Sequence, residues 1–181
     1  MTKPQLLDFL KLGFDEIVTT SQQANEEHFF SRPAENVWSA AENVQHLTQS
    51  VQPLVYLMQK PKSYLVEKWG KANWQGRSYD QIVHLYEGVL AQGLRAMGNF
   101  VPVIETATDK NMLLTHFQVT NNQLLAVADN WTEEDLDTYI IPHPVMRNMS
   151  VREMLYFTAF HTRHHHTIMQ ERIKLVMAIE S

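Results

Sequence analysis

The chain contains no cysteine. That absence excludes disulfide bonds, a cysteine nucleophile and thiolate metal ligands together. Long apolar runs are missing too: none approaches the roughly 18 residues of a membrane-spanning helix. Basic charge is scarce, with 15 Lys and Arg against 20 Asp and Glu, a net charge of −5. Those basic residues form no cluster, so no nucleic-acid partner is expected. The opening MTKPQLLDFL has neither the apolar core nor the cleavage site of a secretory signal, which favours the cytoplasm. No Ser or Lys stands in a nucleophile motif, so covalent catalysis by the protein is not expected.

What is present is helical. The 181 residues, 44% hydrophobic and 19% charged, suit one domain over residues 1–181. Pro4 sits well in a first helical turn, and Leu6, Leu7, Leu10, Phe14, Ile17 and Val18 form a stripe, giving a first helix to about Phe30. Ser31-Arg32-Pro33-Ala34 breaks it. Ser39 and Glu42 make a capping box for a helix to about Met58, in which Pro53 predicts a kink or an early end. Residues 60–77 show no steady period and predict a long ordered loop anchored by Tyr64, Trp69 and Trp74. Ser78 and Gln81 open the next helix, which Gly93 and Gly98 weaken. A further helix spans about Asp109 to Asn130, and Trp131 to Asp135 forms a helical turn. Tyr139 to Pro144 must be extended, because each proline disfavours helix in the residue before it. Nothing has the pattern of a sheet. The expected fold is therefore all-α: an up-and-down four-helix bundle with an additional helix and a long ordered loop.

The most informative stretch is the last, Ser150 to Ile179. Ser150 and Glu153 form a capping box, and Val151, Met154, Leu155, Thr158, His161, His165, Ile168 and Met169 recur at helical spacing on one face. A stripe that should be pure core thus carries two histidines. His161 and His165, four residues apart, lie roughly 6 Å apart along the axis and can share one metal ion. His46 lies about two turns beyond its cap Ser39, so it can face that pair from a neighbouring helix. Three imidazoles with a position left open make a catalytic type of metal site. The same ligands accept zinc, nickel, copper or iron.

Other readings stay open. A lone histidine on a helix is ordinarily a surface or hydrogen-bonded core residue, and a pair spaced by four also occurs on surfaces. His164 points away from the pair and supports it from behind, and His166 faces solvent; His28, His84 and His116 are structural. Glu42 either orients the free ring nitrogen of His46 or is occupied by its cap.

These residues carry a resemblance. Trp38-Ser39-x-x-Glu42-x-x-x-His46-Leu47, then His143-Pro144, then Arg152-Glu153-Met154-Leu155-x-Phe157 running into His161-x-x-x-His165 resemble the DinB-like family of four-helix bundle proteins, across essentially the whole chain. The resemblance implies a divalent metal, most often zinc or nickel, on His46, His161 and His165, and frequently a homodimer. Some relatives are similar to transferases and isomerases that use a low-molecular-weight thiol. Two departures stand out: Val145-Met146-Arg147-Asn148 replaces a glycine-containing turn, and Ile168 replaces a glutamine one turn after the last histidine, with Gln170 nearby.

The expected function is a metal-dependent enzyme, of thiol-transferase or hydrolase type, acting on a small molecule at a pocket roofed by residues 60–77. The alternative is a non-catalytic dimeric stress-response or ligand-binding module with a structural or vestigial metal. A third possibility is a histidine cluster that binds no metal.

Overall fold

A computed structural model describes residues 1–179. Helix α1, Lys3–Gln23, starts at a capping box in which Thr2 and Gln5 exchange side-chain bonds with each other's backbone, and it carries Pro4 in its first turn. It stops at Ala24 instead of continuing to Phe30. Asn25 accepts from the His28 backbone N–H at 2.7 Å and caps a separate short helix α2, Glu26–Phe30. Asparagine offers the backbone that local alternative to helix, and a periodicity count does not register it.

Helix α3, Ala40–Met58, opens at the predicted Ser39–Glu42 box and passes through Pro53 to Met58. Pro53 sits on its exposed face. The segment expected to be a loop contains a helix, α4, Lys62–Trp69, which ends at Gly70 with φ +74°. Helix α5, Tyr79–Leu90, is followed by a single 3-10 turn at Gly98–Phe100. Helix α6 spans Lys110–Asp129 and the short α7 spans Glu133–Thr138.

A two-stranded antiparallel hairpin then appears where no sheet was expected. It comprises β1, Ile140–His143, and β2, Arg147–Ser150, with Ile140 opposite Ser150 and His143 opposite Arg147. The extended backbone of residues 139–144 was legible from its prolines. The return strand was not, because Arg147-Asn148-Met149-Ser150 has no β-branched or alternating pattern. Arg147 holds φ at +63°, at the turn where the resembling family places glycine. A left-handed conformation costs an L-residue about 1–2 kcal/mol. Arg147→Gly is therefore expected to raise stability by about 1 kcal/mol, read as a higher urea midpoint at unchanged slope; an unchanged or lower midpoint would show that the turn is not strained.

The last helix, α8, Val151–Ile179, starts directly from β2. Ser150 donates its backbone N–H to Glu153 Oε2 at 2.8 Å, and Glu153 N–H returns to Ser150 Oγ at 3.2 Å. The bundle is formed by α1, α3, α6 and α8 around a core that includes Leu6, Leu10, Ile17, Leu47, Phe117 and Leu124. Lys3 reaches Asp129 and Lys110 reaches the Ala24 carbonyl, so α1 and α6 run oppositely. Asn43 and His46 meet His165 and His161 respectively, so α3 runs opposite to α8. The passage through α4, α5 and residues 91–109 carries the chain back to start α6 beside the start of α3. Among the described residues no helix is long and apolar enough to cross a membrane.

Candidate metal centre

Helices α3 and α8 bring the three histidines together inside the bundle. His46 is 6% exposed, His161 4% and His165 7%. One ligand nitrogen from each lies within 4.8 Å of the others. His46 Nε2 and His161 Nε2 stand 3.2 Å apart, and the ring centroids of the helical pair are 4.6 Å apart. Two imidazole nitrogens bound tetrahedrally to one ion at 2.0–2.1 Å are separated by about 3.3 Å. The observed spacing fits that geometry.

The surrounding hydrogen bonds decide which nitrogen is free. His46 Nδ1–H donates to the Phe100 carbonyl at 2.7 Å. Asn43 Nδ2 donates to the Ser39 carbonyl at 2.7 Å, which leaves Asn43 Oδ1 as the acceptor for His165 Nδ1–H at 2.6 Å. Both histidines therefore carry their proton on Nδ1 and present a bare Nε2 lone pair, the arrangement in which an outer partner fixes tautomer and ring orientation of a ligand. His161 Nε2, 3.2 Å from His46 Nε2, donates to it when it carries the ring proton, and with that proton on Nδ1 it turns a third lone pair toward the same point. The donor set thus fits a divalent ion that prefers nitrogen ligands, zinc or nickel among them.

Aromatic walls close the site. Trp38 stacks on His165 with centroids 6.4 Å apart and tilts against His46 at 5.1 Å. Phe157 stacks on His161 at 4.9 Å, and Tyr86 meets that ring edge-on at 5.9 Å. His164 stacks on Phe160 and sets its edge against His165 at 5.3 Å, the supporting position expected of it. Burial lowers the pKa of His161 and His165 well below the ordinary 6.5, with the neighbouring histidines adding to the effect. His46 is lowered too, again by burial first. All three imidazoles are therefore neutral at pH 7, as ligands must be.

Several expected roles fall elsewhere. Glu42 does not touch His46: its Oε2 accepts from the Ser39 backbone N–H at 2.8 Å and both its oxygens pair with Arg32. His166 does not face solvent but bonds Thr20 Oγ1 on α1 at 2.7 Å. His84 and His116 lie on the surface, beside Glu87 and Gln52. Ile168 is half-buried and Gln170 exposed on α8. Residues 60–77 do not roof the histidines. Trp74 and Arg77 from that segment instead bind Glu153, eight residues or roughly 12 Å along α8 from His161. The cover comes from Phe100 in the connection between α5 and α6.

Of the partners, Asn43 and Phe100 escaped sequence reasoning. Asn43 was findable as a polar residue in an apolar stripe three positions before His46. The Phe100 contact is a backbone carbonyl, which any residue could supply, so no sequence signal marks it. A cleft of about 420 Å³, bounded by Phe30, Arg32, Ser39, Glu42 and Pro102 to Ile104, opens one turn of α3 from His46.

His143 anchors the hairpin turn. Its Nδ1 accepts from the backbone N–H groups of Val145 and Met146 at 3.2 and 3.1 Å, and its ring packs on Phe157 at 4.4 Å. Burial pushes its pKa down to about 4. An unfolded histidine protonates near 6.5, so as pH falls below that value the unfolded state binds protons that folded His143 does not. The stability it contributes is complete above about 6.5 and is lost as pH falls towards 4. Metal-free protein is therefore expected to show a lower urea midpoint at pH 5 than at pH 7.5, with most of its acid sensitivity above the carboxylate range; an equal or higher midpoint at pH 5 would contradict this.

The sequence matches the DinB superfamily over residues 14–169. Among solved structures, a conserved protein from Enterococcus faecalis is similar with a TM-score of 0.65 at 13% identity, covering 98% of this chain and 99% of that one. The four-helix bundle protein TT2238 gives 0.59 at 12% identity, covering 94% and 99%. The colibactin self-resistance protein ClbS, solved in complex with double-stranded DNA, gives 0.58 at 15% identity, covering 94% of each chain. At these identities the likeness is one of fold. No curated protein matches.

Proposed function

Since the chain belongs to the DinB superfamily, we propose that His46, His161 and His165 bind one divalent metal ion, zinc or nickel, and that the site is a metal-dependent transferase or hydrolase centre for a small molecule in the cytoplasm. The observation that carries this reading is the convergence of three neutral imidazoles, two with tautomers fixed by Phe100 and Asn43. Bound there, the ion would supply Lewis acidity and lower the pKa of a water or of a thiol taken from solution. The protein contributes placement. Asn43 and the Phe100 carbonyl hold two ligand rings, while Trp38 and Phe157 exclude water and so strengthen electrostatic interactions inside. Acidic net charge supports a small-molecule partner over nucleic acid. The family also supports assembly as a homodimer.

The depth of the rings favours a second reading, a non-catalytic module whose metal is structural, since a ligand set only 4–7% exposed leaves little room at the ion. Screening small-thiol transfer and ester or amide hydrolysis with zinc-, nickel- and manganese-loaded protein separates the two. Activity that vanishes on chelation supports the enzyme; activity in metal-free protein, or none with any metal, removes it.

A further inference from the structure

A histidine that binds a metal almost always donates its outer ring N–H to a fixed acceptor, and two of the three histidines do so here. His46 gives its Nδ1–H to the Phe100 carbonyl, and His165 gives its own to Asn43 Oδ1. His161 is different. Its one hydrogen bond among the described residues joins its Nε2 to His46 Nε2, so no protein group takes up its Nδ1. Beside it stands a second polar group in the same condition. Tyr86, on α5, is 7% exposed and meets the His161 ring edge-on at 5.9 Å. Phe157 and Phe160 pack against the Tyr86 ring at 5.0 and 6.1 Å. A buried tyrosine hydroxyl ordinarily finds a hydrogen-bond partner, yet this one bonds no protein group among the described residues.

Neither atom is walled off. Among the described residues, the buried side-chain atoms that lack both a partner and contact with solvent are Gln49 Oε1, Asn121 Oδ1, Arg163 Nε and Arg172 Nε. His161 Nδ1 and the Tyr86 hydroxyl are not of that set, so each borders space that a water molecule can enter. Buried waters settle where polar groups are otherwise unsatisfied. We infer that Tyr86 is a positioning residue for His161: its hydroxyl holds a water that accepts from His161 Nδ1–H and so fixes the third imidazole with Nε2 bare. This rests on the metal site proposed above and gives its third ligand the outer partner that the other two have. Tautomer balance supplies the reason. With nothing to accept at Nδ1, the ring keeps its proton on Nε2, where the His46 lone pair 3.2 Å away takes it. An Nε2 that carries a proton cannot coordinate an ion. An acceptor at Nδ1 draws the proton to the outer side of the ring and frees Nε2. His143, 6.4 Å from Tyr86, does not compete for this role. Its Nδ1 already accepts from Val145 and Met146, so its other nitrogen carries a proton and is a donor. Phe157 offers His161 only a ring face. Of the rings on this wall, Tyr86 supplies the oxygen.

The test is zinc affinity, by competition with an indicator, for the full-length wild type, Tyr86→Phe and Phe160→Leu, with circular dichroism to verify the helices. Tyr86→Phe removes one oxygen and keeps the ring. It should lower zinc affinity about 10- to 100-fold, as loss of an outer partner does, at unchanged helicity. Phe160→Leu disturbs the same packing without touching the hydroxyl and should keep wild-type affinity. In zinc-loaded wild type, NMR should place the His161 ring proton on Nδ1 and show its cross-relaxation with a bound water. Wild-type affinity in Tyr86→Phe, an equal loss in Phe160→Leu, or a His161 Nδ1–H with no water beside it would overturn the role of Tyr86 while leaving the metal site standing. A wild type that binds no zinc would overturn the metal site itself, and this inference with it.

Discussion

Replacing His161 with alanine should abolish stoichiometric metal binding while leaving the helical spectrum almost unchanged. His161 stands at the centre of the cluster: its Nε2 is 3.2 Å from His46 Nε2, and His165 lies one turn further along the same helix. Removing it leaves two imidazoles on different helices, too few to hold an ion against chelators. The fold should tolerate the loss because the bundle core is built from aliphatic and aromatic residues of four helices and does not depend on the metal. The vacated space costs stability of the order of a core truncation, about 1–3 kcal/mol. His166→Ala is the matched control. Its ring bonds Thr20 on α1, so metal content should survive. Measured by elemental analysis and by titration with a zinc indicator, full occupancy in His161→Ala would remove His161 from the ligand set, and loss in His166→Ala would misplace the site.

Glu153→Ala should lower stability by about 3–5 kcal/mol, since one partner of a buried ion pair is removed. Glu153 is fully buried and ties three elements to one carboxylate. It caps α8 through the Ser150 backbone N–H at 2.8 Å. It also accepts from Arg77 Nη2 at 2.7 Å and Nε at 2.9 Å, and from Trp74 Nε1 at 3.3 Å. Burial alone would push its pKa up, but the bonds from Arg77 and Ser150 outweigh it and hold the carboxyl below its ordinary range. Alanine leaves the Arg77 guanidinium half-buried without its partner and frees residues 74–77. For a chain of this length the loss corresponds to a fall in melting temperature of about 10 °C. Arg77→Ala should cost less, because Glu153 keeps its capping bond. A fall under 2 °C in Glu153→Ala would show that the cluster contributes no net stability.

The convergence of the three histidines was legible because helical periodicity is unforgiving. Two histidines in the apolar stripe of α8, and one in phase with the cap of α3, have few other places to go, and the structure brings all three together. Helix starts were equally readable, since Ser39, Ser78 and Ser150 each announce one through a box that is formed. What stayed hidden depended on tertiary partners. The hairpin needed β2, whose side chains carry no strand pattern and which pairs only because β1 lies opposite. Helix α4 was masked by the mixed composition of residues 60–77, and its burial of Leu65 comes from packing beside β1. The role of residues 60–77 was misread for the same reason. Their aromatics suggested a roof, but Trp74 and Arg77 follow the charge of Glu153, whereas the histidines are covered by a backbone carbonyl that no side-chain pattern encodes.

The central claim, a divalent ion on His46, His161 and His165, is tested most directly by elemental analysis of the protein purified without a tag and dialysed against excess zinc or nickel. The account predicts about one ion per chain, retained as pH falls through 6.5 and released only below it, because burial holds the imidazoles of His161 and His165 well below their ordinary pKa. Less than a tenth of an ion per chain with either metal would contradict it.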